Sequence, residues 1–206
     1  LRCLHWNSRG LLLWDDIKRR ASLSYQQRIA RNRHIICLNE VHGLPGEVLV
    51  EISAVLPGWE ILHSPCFDAE GSTIPGKGGV VFLVCPALSS IATNILHTKL
   101  VHGRAHRLDI TLNYNTAPAG VPDLRVLRIY NIHNHGLSEP EVRYIGEDID
   151  NNRLADIRDP KKSTTFVLGD WNFLPFHETP LPLGRLKNDL LIPRAPPGYG
   201  TRHRQW

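Results

Sequence analysis

Apolar positions recur along this chain in two rhythms. Between Trp14 and Asn32, the residues Ile17, Ala21, Tyr25 and Ile29 return every fourth position among Lys18, Arg19, Arg20, Gln26, Gln27 and Arg28. That spacing predicts an amphipathic helix, its start favoured by the acids Asp15 and Asp16. The stretch "PGEVLVEISAVL", residues 45–56, predicts a second helix, opened by Pro45 and stopped by Pro57-Gly58. In residues 138–159, Val142, Ile145, Ile149, Leu154 and Ile157 again follow helical spacing. The other rhythm is short. "HIICLNE", "WEILHS", "GGVVFLVCP", "HRLDITLNY" and "LRVLRIYNIHN" read as strands divided by Gly, Pro and Asn turns. "TTFVL", residues 164–168, is β-branched and aromatic and is bounded by Gly169, which predicts a core strand. After Phe173 the chain becomes proline-rich and loses its periodicity. Strands interleaved with two or three helices, some alternating and some wholly apolar, predict an α/β layered sandwich with helices covering the sheets.

The length, 206 residues, suits one domain with a substantial core. A net charge of +4 and a pI near 9.0 lean mildly toward polyanionic partners without amounting to an electrostatic footprint. The four cysteines, Cys3, Cys37, Cys66 and Cys85, are widely spaced without a CxxC pair, as expected of reduced core residues in a reducing compartment. No run of about eighteen apolar residues and no signal-peptide pattern is present, so the expectation is an intracellular protein, the nucleus included, without a membrane partner. The chain contains no Met and begins inside a strand-like run, as expected of a piece of a longer protein.

Two motifs suggest chemistry and then fall short. "GSTIPGKG", residues 71–78, nearly spells GxxxxGK[ST], but Gly78 replaces the hydroxyl residue and a strand follows where a phosphate-binding helix is required. "HNH" at 133–135 offers two zinc-type ligands, yet no recognisable spacing supplies a third and fourth. A third pattern is stronger: Asn7, Glu40, His133, Asp170 and Asn172 all stand where apolar strand-like runs end. An Asp in such a place is often only a turn former. Together, though, two carboxylates, two amides and an imidazole at strand exits suit a hard cation beside a phosphate, with His able to move a proton near neutral pH.

In their order and rough spacing, "HWNSRG", "LNE", "GKGGVVFLV", "GR" at 103–104, "IYNIHN" and "GDWN" resemble the endonuclease/exonuclease/phosphatase superfamily, and the match covers nearly the whole chain. The resemblance implies a four-layered sandwich of two face-to-face mixed β-sheets with helices outside, formed by residues 1–206 as a single domain. It implies a phosphodiesterase dependent on Mg²⁺, with Mn²⁺ as substitute, acting on nucleic acid and DNA foremost. The setting it implies is the endonuclease module of a retroelement polyprotein. Residue by residue, Glu40 resembles the metal ligand with Asn7 in support, and Asp170 the acid that orients or deprotonates the attacking water. Asn172, Arg104 and Asn131 resemble substrate-contacting positions, and His133 the phosphate-contacting His, for which Tyr130 is the poorer fit. The pattern departs at its end: the family's terminal "SDH"-type motif is absent, and His177, Asp189 and His203 do not form an adjacent Asp-His pair. Two alternatives stay open: a phosphatase of an inositol lipid or small phosphoester, which His133 would also suit, and a degenerate domain that binds without catalysis, which the missing Asp-His pair favours.

Overall fold

The structure is a computed structural model and describes residues 1–12, 15–114, 123–159 and 162–171. The elements run β1 (Cys3–Asn7), α1 (Asp16–Ala30), β2 (Ile35–Asn39), α2 (Pro45–Val55), β3 (Glu60–Ser64), β4 (Val80–Val84), α3 (Pro86–Ser89), β5 (Ala92–Val101), β6 (Ala105–Tyr114), β7 (Asp123–His133), α4 (Glu139–Arg158) and β8 (Ser163–Asp170). They build two four-stranded sheets, ordered β1-β2-β4-β3 and β5-β6-β7-β8. Each is mixed. β1 pairs parallel with β2, and β7 parallel with β8, while the remaining pairs are antiparallel.

Three apolar layers hold the sandwich together. Ile35, Cys37, Phe82 and Val84 of one sheet meet Leu108, Ile110, Leu127 and Ile129 of the other. On the first sheet's outer side, Ile36, Leu38, Val81 and Leu83 pack under Leu23 and Ala30 of α1 and Val48 and Ile52 of α2. On the second sheet's outer side, Tyr130 and Ile132 pack under Ile145 and Ile149 of α4. Strand alternation explains the split, since successive residues of β2, β4 and β7 serve opposite layers. Beneath α4, Arg107 Nη1 bonds both Asp148 oxygens at 2.7 and 2.8 Å, and the Tyr130 hydroxyl donates to Asp148 Oδ2 at 2.6 Å.

The helix ends follow local chemistry. Asp15 caps α1 by accepting from the Lys18 N–H at 3.0 Å, and Ser138 and Glu141 form a capping box on α4. Several expectations need correction. In α1 the buried residues are Leu23, Gln26 and Ala30, whereas Ile17 is 82 % exposed and Tyr25 45 %. The fourfold stripe therefore faces away from the core. In α4, Val142, Ile145 and Ile149 are buried but Leu154 and Ile157 are exposed. β8 is half-exposed rather than a core strand, because among the described residues it closes the order β5-β6-β7-β8 and only β7 pairs with it. β5, with bulges near Ala92 and Lys99 and mixed polarity, gives too weak an alternation to be read from sequence. The four cysteines are free, and Cys37 is fully buried.

Candidate active site

Both parallel pairs deliver their carboxyl ends to one place. Asn7 lies level with Asn39 across β1 and β2, so Glu40 emerges beside Asn7. His133 lies level with Asp170 across β7 and β8. Gly169 makes the second pairing close enough, since a Cβ there would sit 2.3 Å from the Ile132 carbonyl oxygen. Ligand atoms of Glu40, His133 and Asp170 consequently all fall within 4.8 Å of one another. Carboxyl ends of strands are where α/β sheets place their ligands.

Glu40 is held in a left-handed conformation, φ 53°, which costs a non-glycine residue about 1–2 kcal/mol. The "NSRG" turn stabilises it: the Ser8 hydroxyl and the Gly10 N–H both donate to the Glu40 carbonyl, at 3.0 and 2.6 Å. Arg9 and His42, next to this turn and this acid, are also left-handed, at φ 50° and 56°. Strain gathered around one acid is a mark of a functional site.

Asp170 is oriented from the other sheet. Asn7 Nδ2 donates to Asp170 Oδ2 at 2.6 Å, and Asn7 Oδ1 accepts the Arg9 N–H at 2.9 Å. Asn7 thus positions Asp170. Arg104 ends the β5–β6 turn, and its Nη1 lies 2.8 Å from His133 Nδ1. A guanidinium can only donate, so Nδ1 accepts and the neutral ring carries its proton on Nε2. Burial, then the Arg104 charge, hold His133 below its ordinary value, against the upward pull of Glu40 and Asp170. Nε2 is 2.9 Å from Glu40 Oε1, but the atom makes no well-aligned hydrogen bond. It is a buried donor that faces the Glu40 carboxylate.

Other expected residues fall differently. Asn131 is fully buried and donates to the Leu38 and Val81 carbonyls at 3.1 and 3.2 Å, so it ties the two sheets together. One residue of β-alternation separates that role from those of its neighbours. Tyr130 points to α4, away from the site. Asn172 lies outside the described residues, as do His177, Asp189 and His203. His135 stacks on His133 with ring centroids 5.9 Å apart and is not part of the ligand cluster. Residues 71–78 are loop leading into β4, so no helix follows the "GKG" and no P-loop forms.

Sequence reasoning missed His5, Asn39 and His42. Asn39 Nδ2 donates to the Ile132 carbonyl at 3.0 Å and lies 2.9 Å from His5 Nε2, which brings His5 to the edge of the site. Burial holds His5 below its ordinary value while Asp170 opposes this. The "N" of "LNE" was the available signal for Asn39, a polar residue at the end of a wholly apolar run. A cleft of about 880 Å³ opens beside Asp170, lined by His5, Arg9, Lys18 and Tyr25 among others. Ala21 and Tyr25 of the exposed stripe of α1 therefore border the site.

Two acids and an imidazole, their ligand atoms within 4.8 Å of one another, fit an oxygen-preferring divalent cation. The family model for the Endonuclease/Exonuclease/phosphatase family matches residues 4–206, and the chain belongs to that family. Enzymes of this family generally use divalent metals. The fold is similar to that of the human Nocturnin catalytic domain with bound sulfate anion, at TM-score 0.52 and 18 % identity over 86 % of this chain and 68 % of that one. It is also similar to ANGEL2, a 2′,3′-cyclic phosphatase, at TM-score 0.52 and 11 % identity over 84 % of this chain and 52 % of the other. A third similar structure is the endonuclease/exonuclease/phosphatase from Bacteroides vulgatus, at TM-score 0.51 and 12 % identity over 82 % and 64 %. The chain thus spans less than two thirds of the last two proteins. No curated protein matches it.

Proposed function

We propose that this domain hydrolyses nucleic-acid phosphodiester bonds and that it requires Mg²⁺, for which Mn²⁺ substitutes. The observation that carries the reading is the convergence of Glu40, His133 and Asp170 from three strand ends in two sheets. Glu40 and Asp170 would hold the cation, whose chemistry is to neutralise charge developing on the phosphate. Asp170, aimed by Asn7, orients and deprotonates the attacking water. His133 presents its Nε2–H to a phosphate oxygen, a donor role fixed by Arg104 at Nδ1. Arg104 also adds positive charge beside the site. Asn172 holds the scissile phosphate. One protein of similar fold, ANGEL2, is a 2′,3′-cyclic phosphatase, and phosphoester chemistry on this fold is in keeping with the reading.

Plasmid nicking and bis-p-nitrophenyl phosphate hydrolysis test it. Activity is expected with Mg²⁺ or Mn²⁺, lost in excess EDTA, not restored by Zn²⁺, and reduced at least a hundredfold in Glu40→Gln. Full activity in EDTA would overturn the metal role of Glu40. The retroelement setting belongs to the same proposal, supported by the superfamily resemblance and the mildly basic charge. A reverse transcriptase encoded downstream of Trp206 is the outcome it expects.

A further inference from the structure

A second cleft, of about 660 Å³, opens on the Arg104 side of the catalytic cluster, with Phe67, Lys77, His102, Glu141 and Tyr144 among its lining. Resting on the phosphodiesterase reading above, we propose that it is a nucleoside subsite, in which a base of a single-stranded nucleic acid stacks on Phe67 and Tyr144 while Lys77 and Arg104 meet the adjoining phosphates.

The aromatic surface is available. Phe67 is 39 % exposed and Tyr144 52 %, so neither ring is consumed by the core. Phe67 meets His102 edge-on, with centroids 5.0 Å apart and an interplanar angle of 78°. Its backbone is tied locally. Phe67 bridges to Thr73 across a small hairpin, and Asp68 Oδ1 accepts the N–H groups of Glu70 and Ser72 at 3.0 and 2.8 Å. The hairpin is clamped to the β5–β6 turn, because Gly103 N–H donates to Ser64 Oγ at 3.1 Å and Gly79 N–H to the Gly103 carbonyl at 3.2 Å. The approach is so close that a Cβ at Gly103 or Gly78 would lie 2.3 or 2.5 Å from Cys66 Sγ. The hairpin bearing Phe67 and the turn bearing Arg104 therefore form one body. The loop that failed as a P-loop contributes Lys77 by its side chain instead.

The charge also suits a polyanion. Glu141 is the cleft's acid, but its Oε2 already accepts from the Ser138 N–H and hydroxyl, both at 2.7 Å, in the cap of α4. Lys77 and Arg104 remain to face phosphate. Arg104 reaches both places at once, since Nη1 contacts His133 2.8 Å away. The catalytic cluster thus has one cleft on its Asp170 side and one on its Arg104 side. A polynucleotide with residues on both sides of the cut fills both. Base stacking on aromatic side chains with cations along the backbone is how single strands are held without sequence preference.

Fluorescence anisotropy with 5′-fluorescein-labelled (dT)12 and (U)12, using the 206-residue chain in EDTA to prevent cleavage, is the test. Phe67→Ala and Tyr144→Ala are each expected to weaken binding of at least one oligonucleotide by about 5- to 150-fold. Tyr144→Phe, which keeps the ring, should restore it to within about twofold of wild type, and melting temperatures should stay unchanged because both rings are partly exposed. Wild-type-like binding by both alanine variants would overturn the subsite, as would a wild type that binds neither oligonucleotide. The phosphodiesterase reading is judged separately: a wild type that binds both oligonucleotides but hydrolyses no bis-p-nitrophenyl phosphate with Mg²⁺ would sink that reading and leave the subsite standing.

Discussion

Asp170 separates a structural from a chemical role more cleanly than any other side chain here. It ends β8, accepts from Asn7 at 2.6 Å and faces Glu40 and His133. Asp170→Asn keeps size, turn chemistry and an oxygen for Asn7, so the fold should lose about 1 kcal/mol or less. The rate should fall roughly 10²- to 10⁴-fold, because the charge and proton affinity that a general base supplies are gone. Cleavage rates of the two proteins at equal melting temperature decide; a variant within a few-fold of wild type would make Asp170 a strand cap. Residue identities at this scale were legible because each site residue interrupts an apolar run, and a charge or amide there needs a reason. Orientation was not legible. Asn131 interrupts β7 in the same manner as His133 two residues on, yet it spends its amide between the sheets.

At the scale of elements, two features carry predictions. Gly169 sets the spacing of β7 and β8, and Gly169→Ala would press a methyl against the Ile132 carbonyl oxygen, 2.3 Å from it if the strands did not move. The strands must part, costing about 1–3 kcal/mol by overpacking and carrying Asp170 away from His133. A lower melting temperature together with at least a tenfold loss of cleavage is expected. A variant matching wild type in both would show that this register does not set the site. The second feature is a histidine group on β3, β5 and β6, where His97 Nε2 lies 2.5 Å from His106 Nδ1 and His63 has both ring nitrogens unpartnered. Burial, then the charge of Lys99, lower His63 and His97 to about 4, and burial lowers His106 as well. All three are neutral when folded but titrate near 6.5 when unfolded, so the unfolded chain binds more protons below that pH. Stability should be full above pH 6.5 and decline as pH falls toward 4, and His63→Gln should flatten part of the decline. Melting temperatures measured across this range check it; a flat profile for wild type would contradict the neutral cluster. Helix spans were largely readable, since α1, α2 and α4 carry caps or an opening proline. The faces of α1 were not, because Ala21 and Tyr25 of its apolar stripe line the cleft beside Asp170 while Ile17 is exposed.

For the whole molecule, the two clefts on either side of the Glu40–His133–Asp170 cluster predict how binding responds to salt. Arg9 and Lys18 line one and Lys77 and Arg104 the other, four cations in all. If each meets a phosphate of a single strand, log K should fall with log salt at a slope of about −3, an affinity loss of about 50-fold between 50 and 200 mM. Anisotropy titrations at several salt concentrations measure the slope, and a value near zero would remove phosphate contacts from the account. The net charge of +4 allowed such a partner without locating it. By itself the sequence determined the layered α/β class, most element spans and the polar residues that stand at strand ends, because these follow from local periodicity and from polar residues that end apolar runs. Only the tertiary structure decided which polar residues converge and which bind the sheets together. It also decided that an apolar helix stripe borders a cleft, and that Phe67 and Tyr144, 77 positions apart in sequence, line one cleft. The physical reason is that register, sheet order and the facing of each layer are set by packing across the sandwich, where residues far apart in the chain exclude water together.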